Sequence, residues 1–279
     1  MNKKTRSQKK RHGGPQSQKP HTGKPLQSRD RPPVSGGGGL WLFGRHPVMA
    51  ALGNRDRQKQ RLLVSRKNAD QYREELADLL NDRSSLQPEL VTPEELEKIL
   101  PEGSLHQGIA LKCAPLPGRH LDKSCAKEEG QKNLILVLDQ VTDPHNVGAI
   151  IRSAAAFGAK AIVTTDRNAP PESGTLAKSA SGCLELIPWV RVTNLSRALD
   201  ELAELGYWRL GLDGYAEQMV HETNFGDNIV LVLGAEGKGL RKGTRDHCDA
   251  LVKLPISERV ESLNVSNAAA VALYEFSRD

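Results

Sequence analysis

"NLILVLDQVTDPHNVGAIIRSAAAFGAKAIVTT", residues 133–165, decides the architecture of this chain. "NLILVLD" is apolar without polar alternation, as a strand covered on both faces requires. "VTDPHNVGAIIRSAAAFGA" turns and then runs as a helix to Gly158, and "AIVTT" (161–165) returns to a β pattern. Strand, helix and strand in that order make a crossover, so the two strands lie parallel. An α/β domain built on a parallel sheet follows. Beyond it, the pattern predicts strands at 184–190, 207–212, 229–233 and 250–254, with helices at 175–182, 195–205 and 266–277.

Upstream, residues 40–114 read as a smaller α/β domain. "LWLFGRHPVMAALGN" (40–54) gives a short apolar segment, a Gly-Arg-His-Pro turn and a helix closing at Gly53 or Asn54. "RLLVS" (61–65) is a strand and 69–81 a helix. "LQPELVTPEELEKILPEG" adds a strand and a helix with Thr92 as its cap and Pro93 at its first position. "HQGIALKCAP" closes the domain with a strand. Residues 115–132 are polar with Pro and Gly and read as a linker, leaving 133–279 as the second domain.

The 279 residues carry a formal charge of +5, unevenly spread. Residues 1–38 hold six Lys, four Arg and one Asp, a local +9, so the remaining 241 residues are net −4. That tail has almost no large apolar side chain and cannot offset chain entropy by burial, so it is expected to be disordered. A basic disordered arm suits a polyanion such as nucleic acid; a solubilising tail without a dedicated partner is the alternative. It lacks the apolar core of a secretory signal, and no apolar run reaches the ~18–20 residues that span a membrane. Cys113, Cys125, Cys183 and Cys248 lie far apart, without CxxC pairs or clustered histidines. Neither a disulfide framework nor a metal site is supported, and a reduced, cytoplasmic setting is the simple expectation.

Three clusters carry chemistry. The first is Asp143-Pro144-His145-Asn146-Val147-Gly148, ending at a helix start where Asn146 is placed to cap. Along the helix, Arg152 has Gly148, Ala149, Ala155 and Ala156 at its i±3 and i±4 positions. A long cation among small residues on a buried crossover helix needs an anionic partner. That partner is either a structural carboxylate or a ligand, and the C-terminal edge of a parallel sheet is where ligands bind. The second cluster, Gly234-Ala235-Glu236-Gly237-Lys238-Gly239-Leu240, follows "NIVLVLG". Three glycines permit close backbone approach. The spacing fits neither the nucleotide P-loop nor the dinucleotide fingerprint, and the Glu236 carboxylate would repel phosphate. Such a loop suits a neutral or cationic ligand. The third cluster runs from Leu254-Pro255-Ile256 to Leu263-Asn264-Val265, where apolar side chains flank free backbone groups and can line an adenine-sized slot.

In order and wording, "DPHNVGAIIRSA", "LVLGAEGKGL" and "LPISERVESLNVSNAAAVALYEF" resemble the three motifs of the SpoU/TrmH class of SPOUT RNA 2′-O-methyltransferases, across nearly all of 133–279. "FGRHPVMAAL" resembles the start of the L30e-like substrate-binding domain in the bacterial 23S rRNA guanosine 2′-O-methyltransferase branch. The resemblance implies a trefoil knot in the C-terminal domain, a homodimer, and S-adenosylmethionine as cofactor. It further implies that Gly234, Leu254, Ile256 and Leu263 hold the cofactor, while Asn146, Arg152, Glu236, Ser262 and Asn264 form the catalytic and RNA-binding set. Because a free guanidinium is a poor base, with a pKa above ~12, Arg152 is expected to stabilise the developing alkoxide or grip the adjacent phosphate. Asn146, Ser262 and Asn264 would orient Arg152 and the ribose.

Glu236 is otherwise a loop-stabilising carboxylate that accepts backbone N–H bonds. Lys238 and Arg241, beside the glycine loop, are RNA contacts or a solvated helix face; Arg45 and His46 are RNA contacts or turn residues. His145 and His247 read as structural, and Trp41, Trp189 and Trp208 as core. Ser266 or Asn267 is expected to cap the last helix. The implied substrate is 23S rRNA. Two alternatives are a tRNA ribose methyltransferase and a non-catalytic RNA-binding or ribosome-assembly protein on the same fold.

Overall fold

The computed structural model describes residues 39–80, 86–222 and 225–278; the expectation of a disordered tail over 1–38 lies outside them. The small domain runs β1 (Leu40–Phe43), α1 (Arg45–Gly53), β2 (Lys59–Ser65), α2 (Ala69–Leu80), β3 (Pro88–Val91), α3 (Pro93–Ile99) and β4 (Ile109–Cys113). Its four strands pair in the order β1-β4-β2-β3. α3 starts where the sequence says it should. Thr92 accepts from the Glu95 backbone N at 3.3 Å while Glu95 accepts from the Thr92 N at 2.7 Å, and Pro93 occupies the first turn.

The chain continues through a short helix α4 (Leu121–Ser124) into β5 (Asn133–Asp139), α5 (Pro144–Ala156), β6 (Ala161–Thr165), α6 (Gly174–Ala180), β7 (Trp189–Val192) and α7 (Leu195–Glu204). It ends with β8 (Trp208–Leu212), β9 (Gln218–Met219), β10 (Asn228–Gly234), α8 (Lys242–Arg245), β11 (Ala250–Lys253) and α9 (Val265–Ser277). These strands form one sheet, ordered β7-β6-β5-β10-β8-β11-β9, and all of its pairings are parallel. Every residue of β5 is buried, which accounts for its unbroken apolar run. α7 covers one face of this sheet and α5, α6 and α9 the other.

The apolar cluster under α5, α6 and α9 continues into the small domain, joining Leu136, Ile150 and Leu176 to Leu42, Val48 and Met49. Residues 115–132 are mostly exposed, but two side chains anchor the segment. Leu121 and Cys125 are buried beneath α7, and the Tyr207 hydroxyl donates to the Cys125 carbonyl at 3.0 Å.

Four expectations need correction. The strand expected over 184–190 begins only at Trp189. Ser181 (φ 52) and Gly182 (φ 90) are both left-handed, so the chain leaves α6 through a 3₁₀ turn, Cys183–Glu185, which packs on α1 instead of joining the sheet. Asp143, not Asn146, caps α5, accepting from the His145 N at 2.9 Å, because Pro144 occupies the first helical position, three residues before the one an Asn146 cap would give. The cap of α9 is Asn264, which accepts from the Ser266 N at 2.9 Å, not Ser266 or Asn267. Trp208 is 49% exposed at the start of β8, leaning on Phe225 with ring centroids 5.7 Å apart.

Candidate active site

β5 and β10 are adjacent and in register, so Asp139 and Gly234 sit side by side where both strands end. The chain cannot run straight on from Gly234. The loop folds back on itself, with Gly239 N donating to the Ala235 carbonyl at 2.8 Å. A Cβ on residue 234 would lie 2.1 Å from the Gly239 carbonyl carbon, so only glycine fits there, while Gly237 and Gly239 take positive φ to close the turn. Asp139 anchors the loop's exit. Its carboxylate has no exposed surface and accepts from the Arg241 backbone N at 3.1 Å and from Arg241 Nε at 2.7 Å.

Beside this loop lies a cleft of about 240 Å³. Gly234, Leu254, Ile256 and Leu263, the four residues expected at the cofactor, all line it, as do Glu236, Lys238 and Ser262. The sequence reading missed Asp213, Tyr215, Arg245 and Glu261, which share the cleft. Asp213 is held by Arg245 at 2.7 Å and accepts from the Tyr215 backbone N at 2.9 Å. It sits just past the end of β8, the same edge position as Asp139 on β5, and an acid closing an apolar strand is the signal that marks both.

At the mouth, Asn264 joins two motifs. Its Nδ2 donates to Asn146 Oδ1 at 3.0 Å and lies 3.3 Å from Glu236 Oε1. Its Oδ1 is occupied by the α9 cap and by the Ser266 hydroxyl, so the amide orientation is fixed from both sides. Glu236 is therefore held by a side-chain amide of another motif. Asn146, Asn264 and Glu236 thus come together from α5, α9 and the glycine loop.

Arg152 does not join them. It is exposed on a different face of α5, next to Cys183, and makes no ion pair among the described residues. The burial that demanded an internal anion is absent, because Gly148 rather than Arg152 takes the close contact with α6. Arg241 is committed to Asp139, Arg45 is paired with Glu75 at 3.0 Å, and His46 is exposed at the start of α1. His145 bonds Ser179 at 3.2 Å and His247 the Gly243 carbonyl at 2.7 Å.

The chain matches two family models, the SpoU rRNA Methylase family over residues 133–274 and RNA 2′-O ribose methyltransferase substrate binding over 41–118. It is 36% identical over 236 residues to the 23S rRNA (guanosine-2′-O-)-methyltransferase RlmB of Pseudomonas putida, covering 84% of this chain and 94% of that one. An uncharacterized tRNA/rRNA methyltransferase of Synechocystis is also 36% identical, and there the chain spans 62% of the relative's length. Among solved structures, the SpoU methyltransferase AviRb from Streptomyces viridochromogenes, in complex with the cofactor AdoMet, superposes with a TM-score of 0.72 at 25% identity. That match covers 86% of this chain and 89% of the other.

Proposed function

As a member of the SpoU rRNA Methylase family, the chain is an S-adenosylmethionine-dependent RNA ribose 2′-O-methyltransferase, and we propose that its target is a guanosine of 23S rRNA. One observation supports the placement of the site: Asn264 donates to both Asn146 and Glu236, and Glu236 lines the cleft together with Gly234, Leu254, Ile256 and Leu263. The cleft fits the cofactor. Its apolar walls suit an adenosine, and Asp213, Glu236 and Glu261 suit the cationic end of a sulfonium amino acid. When bound, the cofactor supplies an electrophilic methyl group.

The protein's own part is alignment and charge stabilisation. Asn146, Asn264 and Ser262 orient the ribose, Glu236 fixes the asparagine pair, and Lys238 holds a neighbouring phosphate. Arg45 and His46 are RNA contacts in the small domain, whereas Arg241 serves the glycine loop.

The trefoil knot and the homodimer belong to the same proposal. The knot is supported by the route of the last segment, which leaves β11, passes the glycine loop and returns to α5, on which α9 packs. Supporting the dimer is the outward side of that helix pair. Val271 and Tyr274 are 47% and 53% exposed on α9, while Arg152 and Ala156 are exposed on α5. A second copy covering this side would bring Arg152 to a ribose there, where its fork grips phosphate or steadies the alkoxide. A cytoplasmic setting belongs to the same proposal, since ribosomal RNA is its expected substrate.

Labelled S-adenosylmethionine incubated with the protein and 23S rRNA tests this directly. Transfer mapped to a ribose 2′-oxygen is expected, and both Arg152→Ala and Arg152→Lys should lose it while still binding cofactor. Absence of label with intact cofactor binding overturns the substrate, and near-full activity of Arg152→Lys overturns the fork argument.

A further inference from the structure

Arg57 is the single buried cation among the described residues, at 2% exposure. It belongs to the small domain, in the turn between α1 and β2, yet both its carboxylate partners belong to the large one. Nη1 reaches Glu172 and Nη2 reaches Glu185, with Nε 3.3 Å from the second Glu185 oxygen. The side chains of Arg57, Glu185 and Glu172 are 0%, 3% and 9% exposed. Burial opposes the charge on Arg57, but the Glu185 hydrogen bond and the two carboxylates together raise its pKa above the ordinary value.

Other bonds converge on the same three groups. Arg57 Nη1 also donates to the Ala114 carbonyl at 2.9 Å, and the Leu116 N donates to Glu172 at 2.9 Å, so the start of the connecting segment is tied in. Asn54 donates to Glu185 at 2.7 Å. Around this knot of charges the domains meet closely. A Cβ on Gly174, at the start of α6, would lie 2.3 Å from the Trp41 carbonyl, and Lys178 donates to Gln107 at 2.8 Å.

A buried ion triad is weak evidence for stability, since desolvation offsets most of the attraction. What it supplies is geometry. A planar guanidinium engaged by two carboxylates at once accepts one relative placement of the segments that carry them. We infer that Arg57 is a positioning residue for methyl transfer, locking the RNA-holding small domain to the methylase domain so that both grip one RNA at a fixed separation. The inference rests on the reading of the small domain as an RNA holder. A domain held in place spares the ordering cost that a swinging one would incur when RNA binds.

The full chain and its Arg57→Gln variant decide this by amide hydrogen exchange and steady-state methylation of 23S rRNA. Exchange over 114–119 and 174–186 should quicken by at least tenfold while β5 and β10 keep wild-type protection. The KM for RNA should rise roughly tenfold, with kcat and the KM for S-adenosylmethionine within about twofold of wild type. Arg57→Lys, which keeps the charge but not the fork, should fall between. Unchanged exchange at the seam overturns the lock. A loosened seam with unchanged RNA KM overturns the positioning role. Should Arg57→Gln open the core too, Glu172→Gln leaves Arg57 paired with Glu185 and is read by the same criteria, at roughly threefold. Were the wild-type protein to methylate no RNA, the proposed function would fail; seam exchange and the Kd for 23S rRNA would then decide the lock by the same criteria.

Discussion

Asp139 and Arg241 face each other across the exit of the glycine loop: the buried carboxylate of one accepts both the backbone N, at 3.1 Å, and the Nε, at 2.7 Å, of the other. The loop is thus stapled to the end of β5, and the cleft wall depends on the staple. Removing the guanidinium leaves a carboxylate with no exposed surface and only one backbone donor. Arg241→Ala should cost about 2 kcal/mol in chemical denaturation, below the full buried-pair value because Arg241 is itself half exposed. Cofactor affinity should fall with it. A variant of unchanged stability that binds RNA more weakly would instead return Arg241 to the RNA contacts.

Gly234 is the position where the loop tolerates least. Gly234→Ala places a methyl group 2.1 Å from the Gly239 carbonyl carbon, a contact that backbone alone can relieve. A loss of about 1–3 kcal/mol is expected, together with at least a tenfold weaker Kd for S-adenosylmethionine by calorimetry. Gly237→Ala is the control. No atom stands within 4 Å of its added Cβ, so only its positive φ is strained, and about 1 kcal/mol should be lost. Equal effects at 234 and 237 would show that strain, not collision, governs the loop.

Asn264 does two things with one amide, and they separate by substitution. Its oxygen caps α9, and its nitrogen meets Asn146 and Glu236. Asn264→Asp keeps the cap acceptor, removes the donor and sets a second carboxylate beside Glu236. It should melt close to wild type yet lose methyl transfer by a factor of ten or more. Asn264→Ala loses both functions and should be less stable by about 1 kcal/mol as well. Full activity in the aspartate variant would remove Asn264 from the chemistry.

The central crossover was legible because β5 is buried on both faces and its sequence has no other reading. The glycine and apolar spacing pointed to close backbone approach and an adenine-sized slot, and it was the family resemblance that singled out residues 234, 254, 256 and 263, which line one cleft. Contacts between distant segments were not legible. The Asn264 cap is local, but the donor side of the same amide reaches Asn146, 118 positions earlier in the chain. The strand misread at 184–190 fails for the same reason: Leu184, Leu186, Ile187 and Val190 make an apolar run that reads as β, but Leu184 and Ile187 pack into a core shared with the small domain. Nothing in the composition of the small domain announces that Arg57 is buried, since its partners are supplied from residues 172 and 185.

Alkaline stability should report the burial of the connecting segment. Burial pushes the Cys125 thiol up to about 12 from its ordinary 9.0, despite the nearby Lys160 ammonium. Burial raises the pKa of the adjacent Tyr207 hydroxyl too. As pH rises past 9, the unfolded chain releases the Cys125 proton while the folded chain keeps it. The folded state then binds more protons, so stability is fully present below pH 9 and declines as pH climbs toward 12. Urea midpoints should fall steadily across that window; because burial pushes Cys113 and Cys248 up to about 12 as well, Cys125→Ala should make the early part of the decline shallower rather than abolish it, before the tyrosines of the unfolded chain titrate near 10. In the native protein at pH 8, a thiol reagent should leave Cys125 unmodified until urea is added. Rapid native-state labelling of Cys125, or an unaltered slope in the alanine variant, would mean that the Leu121–Cys125 anchor opens readily and does not pack beneath α7 in solution.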